Sequence, residues 1–127
     1  MIVVDTSALI AIFRGEPEAE DFLQLILSTP ALISAPNRLE AFVVVTRRYG
    51  DGKAAELADL IVDLKLTTVA FDETLAGLAE EAFKTYRRGR HGLNYGDCFS
   101  YALAKSRDLP LLFKGEDFAA TDVKRAV

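Results

Sequence analysis

The chain opens on a short apolar run, Ile2-Val3-Val4, which stops at Asp5 and gives way to Thr6-Ser7 and a second apolar stretch from Ala8 to Phe13. A β-branched run that is apolar at every position predicts a strand buried on both faces. Strand and helix patterns then alternate to the end. Ser7–Arg14 predicts a short helix stopped by Gly15. Glu16–Leu27 predicts a longer one, with Pro17 in its first turn and Ala19, Phe22, Leu23 and Ile26 on one face. Ala31–Ser34 predicts a second strand. Pro36 opens a segment closed by Tyr49-Gly50, within which the valines at 43 to 45 leave a strand over Ala41–Val45 as an alternative.

Further on, Lys53–Lys65 carries Leu57, Leu60, Ile61 and Leu64 at helical spacing, and Thr67–Phe71 is β-branched and strand-like. Thr74–Arg88 has Leu75, Leu78, Ala79, Ala82, Phe83 and Tyr86 on one helical face. A basic, glycine-broken loop from Arg87 to Gly96 leads into an apolar helix over Asp97–Lys105 and a last strand over Pro110–Phe113. The alternation predicts an α/β fold with a mostly parallel sheet of about four or five strands, flanked by helices.

Composition narrows the class. A chain of 127 residues, 50% of them hydrophobic, suits one globular domain over 1–127 with a real core. No repeat, low-complexity tract or linker interrupts it. The single cysteine excludes an internal disulfide framework and fits a reducing cytoplasm. No apolar stretch approaches the ~18 residues that span a bilayer, and the first apolar run lacks the basic flank of a signal peptide. A net charge of −4 argues against nonspecific coating of nucleic acid, while leaving room for an enzyme that holds it in one groove.

Four acids then change the picture. Asp5 ends a buried strand, where a carboxylate is costly unless something binds it; capping of the following helix is the simpler alternative. Glu40 would share a helical face with Val43 and Val44, so it would be buried, and a salt bridge to Arg47 or Arg38 is its alternative reading. Asp97 heads an apolar helix and is open to the same capping reading as Asp5. Asp117 follows the last strand through Lys114-Gly115-Glu116 and is open to the reading of a solvated turn. In a parallel α/β sheet, however, strand ends and the starts of the following helices share one edge. Two carboxylates ~4 Å apart repel by about 4 kcal/mol at an effective dielectric of 20. Such a cluster calls for raised pKa values or a cation, and an oxygen-only donor set suits Mg²⁺ or Mn²⁺.

Other signals are set aside. His91 is the only histidine and reads as a surface residue. Cys98 reads as a small buried side chain. Asp51-Gly52-Lys53 lacks the glycine spacing of a phosphate-binding loop. Phe42, Phe83, Phe99 and Tyr101 fit core positions better than a base-stacking platform.

The ordered set Asp5-Thr6-Ser7-Ala8, Glu40, Asn94-Tyr95-Gly96-Asp97 and Leu112-Phe113-Lys114-Gly115-Glu116-Asp117-Phe118 resembles PIN-domain ribonucleases, and more narrowly the VapC toxins of type II toxin–antitoxin pairs. The resemblance covers essentially the whole chain. It implies a single PIN-like domain and a Mg²⁺- or Mn²⁺-dependent endoribonuclease. The acidic quartet would be Asp5, Glu40, Asp97 and Asp117, with Glu116 and Asp122 as other candidates for the fourth place. Thr6 or Ser7 would orient Asp5, and Asn94 would hold the metal-site loop. The resemblance also implies a homodimer silenced by a small antitoxin, and an RNA substrate. Arg90, His91 and Lys114 are candidate phosphate contacts, Arg87 and Arg88 being read equally well as helix-end cations. Two other functions compete: a catalytically inactive PIN-like protein-binding module, and a phosphoacceptor receiver domain, for which Phe71-Asp72 is a poor match.

Overall fold

The computed structural model describes residues 1–127. Its elements are β1 (Ile2–Val4), α1 (Thr6–Arg14), α2 (Ala19–Ser28), β2 (Ala31–Ser34), α3 (Ala35–Tyr49), α4 (Asp51–Asp63), β3 (Thr67–Val69), α5 (Glu73–Tyr86), α6 (Tyr95–Ser106) and β4 (Leu111–Leu112). The strands form one parallel sheet in the order β3-β2-β1-β4. A parallel bridge between Leu111 and Arg125 extends the β4 edge. The Ala41–Val45 segment is helical, so the valines there do not make a strand.

The pleat divides the core. Ile2, Val4, Ala31, Ile33 and Leu112 face one side, where they pack with α1, α2, α3 and α4. Val3, Leu32 and Leu111 face the other and pack with α5 and α6. Alternate residues of an all-apolar strand can serve two cores only if both faces are covered, which the helices achieve. β3, at the far edge, is exposed at Thr67 and Thr68.

Local rules explain most boundaries. Asp5 caps α1, and Gly15 closes it in the left-handed region at φ 65°. Ser34 caps α3, with Pro36 in its first turn. α2 begins later than Glu16, at Ala19, because Glu16 to Glu18 lie in a turn.

Two expectations about packing fail. The buried stripe of α3 is Asn37, Ala41 and Val45, at strict i, i+4 spacing, so Glu40 and Val43 are only half-buried and Val44 is exposed. Phe42 and Phe83 are exposed, not core residues, because they flank the buried stripes of α3 and α5. Phe99 is half-buried, while Tyr101 is buried as expected.

Candidate active site

The C-terminal edge of the sheet gathers the chemistry. β1 delivers Asp5, β2 delivers Ser34 and the first turn of α3, and β4 delivers Lys114 and the turn to Asp117. α6 starts over the same edge. Asp97 and Ser100 stand one helical turn apart on α6 and so share a face. The Ser100 hydroxyl lies 2.5 Å from Asp5 Oδ1. The acid heading α6 is thereby held next to the acid ending β1.

Asp5 is 4% exposed, and both of its oxygens are occupied. Oδ1 accepts from Ser100, while Oδ2 accepts from the Ser7 backbone N–H at 3.0 Å and the Ser7 hydroxyl at 2.6 Å. Ser7 Oγ in turn accepts from the Lys114 backbone N–H at 3.0 Å. Burial raises the Asp5 pKa above the usual carboxylate value; these hydrogen bonds oppose the rise, and the charge of Glu40 adds to it. Thr6 does not hold Asp5: its hydroxyl donates to the Asn37 carbonyl.

Asp97 is not the cap of α6. Asn94 caps it, accepting from the Asp97 N–H at 2.9 Å, and Asp97 Oδ2 accepts from the Asn94 N–H at 3.0 Å. This reciprocal capping box fixes the Asp97 carboxylate in the first turn. Burial pushes its pKa up to about 7, and the charges of Asp5, Asp117 and Glu40 act in the same direction. The other three acids of the quartet therefore all lie within electrostatic reach of Asp97. Glu116 is exposed, and Asp122 is engaged by the Tyr101 hydroxyl and by Lys105. Neither bears on Asp97 as Asp117 does.

Glu40 makes no salt bridge. Arg38 donates to Thr68 instead, and Arg47 has no acidic partner. The Glu40 carboxylate rests on the backbone of α6: a Cβ added at Gly96 would fall on Glu40 Oε2. Asn37 Nδ2 holds Glu40 Oε1 at 3.3 Å.

No basic side chain pairs with Asp5, Glu40, Asp97 or Asp117. The Lys114 ammonium, though near, is engaged by Glu16 and Glu18. Arg87, Arg88, Arg90 and His91 are exposed on the loop before Asn94 and form no ion pair. Uncompensated buried negative charge and an all-oxygen donor set fit a hard divalent cation. No three acidic, histidine or cysteine side chains are gathered closely enough to enclose one ion. One or two carboxylates, with water in the other positions, is the usual way Mg²⁺ is bound.

Asn37 and Ser100 escaped the sequence reading. Both are fully buried polar residues on otherwise apolar helical faces. The signal available was their spacing, Asn37 one turn before Glu40 and Ser100 one turn after Asp97.

Comparison with known proteins fits this arrangement. Residues 2–124 match the PIN domain family. The sequence is 45% identical to a Ribonuclease VapC of Mycolicibacterium smegmatis, covering 96% of this chain and 97% of that one. It is 44% identical to Ribonuclease VapC30 of Mycobacterium tuberculosis, covering 96% and 95%. Among solved structures, Mycobacterium tuberculosis VapC20, described as a Sarcin-Ricin loop cleaving toxin, superposes with a TM-score of 0.78 at 20% identity, covering 97% of this chain and 96% of that one. VapBC2 from Rickettsia felis, bound to a DNA fragment from its promoter, gives 0.77 at 15%, covering 98% and 96%.

Proposed function

Since the chain belongs to the PIN-domain family, and within it to the VapC proteins, we propose that it is a metal-dependent endoribonuclease acting as the toxin of a toxin–antitoxin pair. The observation that carries this reading is the set of four carboxylates at the sheet edge, two of them buried, with no cation of the chain's own to balance them.

Asp5 and Asp97 would hold Mg²⁺ or Mn²⁺, with Glu40 and Asp117 acting on its water shell. A bound divalent ion supplies charge neutralisation at the phosphoryl oxygens and a more acidic water. The chain's residues do the rest. Ser7 and Ser100 hold Asp5 in one orientation. Glu40, with Oε1 tethered by Asn37, keeps Oε2 available to orient the attacking water and take its proton. Water oxygen bonds to phosphorus as the bond to the 3′-oxygen breaks, and the departing 3′-oxygen takes a proton from solvent, leaving a 5′-phosphate and a 3′-hydroxyl. No ribose 2′-hydroxyl takes part. Arg90 and His91, exposed beside α6, would contact flanking phosphates. The Lys114 ammonium could join them only by leaving Glu16 and Glu18.

A small antitoxin and a second copy of the chain belong to the same proposal. Leu39, Phe42, Phe83 and Tyr95 are exposed on α3, α5 and α6, and large uncovered apolar side chains in one region favour a protein partner. No helix is long and apolar enough to cross a membrane, and the proposal places the protein in the cytoplasm with its RNA substrate. An inactive docking module is the weaker reading, because buried, mutually repelling acids destabilise a fold that does not use them.

The test incubates purified protein with total RNA, with and without Mg²⁺, beside Asp97→Asn. Metal-dependent cleavage by the wild type alone is expected. Equal cleavage by Asp97→Asn, or undiminished cleavage in EDTA, would overturn the proposal.

A further inference from the structure

Asn37 is completely buried, and every polar group of its side chain is committed. Nδ2 donates to the Gly96 carbonyl at 3.0 Å and to Glu40 Oε1 at 3.3 Å. Oδ1 lies 2.8 Å from both the Ser34 and the Ser100 hydroxyls. Its orientation is forced. The Gly96 carbonyl can only accept, so the amide nitrogen must face it and the oxygen must face the two serines. The Asn37 backbone carbonyl accepts from Thr6. One side chain thus ties α3 to the start of α6.

An asparagine serving only as a core linker would not reach toward the acids. This one donates directly to Glu40. It also holds Gly96, against which the Glu40 carboxylate lies. We propose that Asn37 is a positioning residue of the active site: through its amide nitrogen it sets the Glu40 carboxylate against Gly96. The inference rests on the nuclease reading and adds to it a residue that neither touches substrate nor carries charge.

Partners that orient metal-site carboxylates are typically worth about ten- to a hundredfold in activity or metal affinity. Asn37→Ala removes the whole hub. Asn37→Asp is nearly the same size and keeps an oxygen facing Ser34 and Ser100, but replaces the donor to Gly96 and Glu40 by a second acceptor oxygen that both repel. Both are compared with wild type and with Asp72→Ala, which removes the cap of α5, a bond to Leu75 that touches neither Asn37 nor the four acids, and serves as a control for lost stability. Mn²⁺ affinity is measured by calorimetry, and RNA cleavage is split into kcat and KM. For each folded Asn37 variant the expected result is about a tenfold or greater fall in kcat, with KM nearly unchanged and Mn²⁺ binding about tenfold weaker. Asp72→Ala should lower the melting temperature and leave all three constants near wild type. A folded Asn37 variant whose kcat and Mn²⁺ affinity both stay within about twofold of wild type would overturn the inference. Wild-type protein that binds Mn²⁺ but cuts no RNA would overturn the nuclease reading instead, and the Mn²⁺ comparison alone would then decide the role of Asn37.

Discussion

The Ser100 hydroxyl stands 2.5 Å from Asp5 Oδ1 and also 2.8 Å from Asn37 Oδ1, although it has a single hydrogen to give. Asp5 is the closer acceptor and the costlier one to leave unpaired, since its carboxylate is buried. Ser100→Ala should therefore destabilise the protein by about 1–3 kcal/mol, the range for a buried polar group left without its hydrogen bond. Urea unfolding in EDTA measures this directly. A change below about 0.5 kcal/mol would mean that Asp5 does not depend on Ser100.

The pH dependence of the metal-free protein follows from the same acids. Asp97 titrates near 7 in the fold, and Asp5 is also raised, against 3.8 for an ordinary aspartate. An acid with a raised pKa still holds its proton in the folded chain after the unfolded chain has lost it. Its contribution to stability is thus fullest below about pH 4 and fades as pH climbs through about 7. In EDTA the melting temperature should be lower at pH 8 than at pH 5, with Asp97→Asn flattening the difference. Mg²⁺ should restore stability at pH 8, by about 2.7 kcal/mol at a hundred times its Kd. A melting temperature that rises from pH 5 to pH 8 without metal would refute the placement of these acids.

Gly96 makes a sharper test of Glu40. A methyl group there would overlap Glu40 Oε2, which no side chain tolerates, so Glu40 must swing away. Gly96 lies in the first turn of α6, where alanine is well accommodated by the backbone. Gly96→Ala should fold with a melting temperature close to wild type while losing about tenfold or more in kcat. Unchanged cleavage would show that the position of Glu40 does not matter to the reaction.

The element order and the parallel sheet were legible because strands of only two to four residues could be read from runs apolar at every position, such as Ile2-Val3-Val4 and Ala31-Leu32-Ile33. Asp5 was legible for a related reason, since it interrupts such a run at an element boundary, and Asp97 because it heads the apolar stretch of α6. Glu40 was found through a wrong intermediate, since the periodicity placed it beside buried Val43 and Val44 while the true stripe is Asn37, Ala41 and Val45. A helix packed on two sides, against α4 and against the sheet and α6, carries a broad apolar surface, and spacing alone does not say which half is deepest. Phe42 was misplaced by that ambiguity. Asn37 and Ser100 were passed over because their importance comes from contacts with distant segments, and their one-turn spacing from Glu40 and Asp97 is a weak signal by itself.

The basic loop gives the last test. Arg88, Arg90 and His91 are exposed and free of acidic partners, and they precede the cap of α6 by only a few residues. If they hold phosphates flanking the cut, their contribution is to binding and is nearly the same in the ground and transition states. Replacing Arg88 and Arg90 by alanine should then raise KM severalfold and leave kcat nearly unchanged, the pattern of lost uniform binding. The salt dependence should soften as well. For every phosphate of a single strand that is no longer neutralised, the slope of log affinity against log salt shrinks by about 0.7. Melting should hardly change, because exposed, unpaired side chains contribute little to stability. A fall in kcat at constant KM would instead move these arginines into the chemistry, and an unaltered salt slope would remove them from the RNA path altogether.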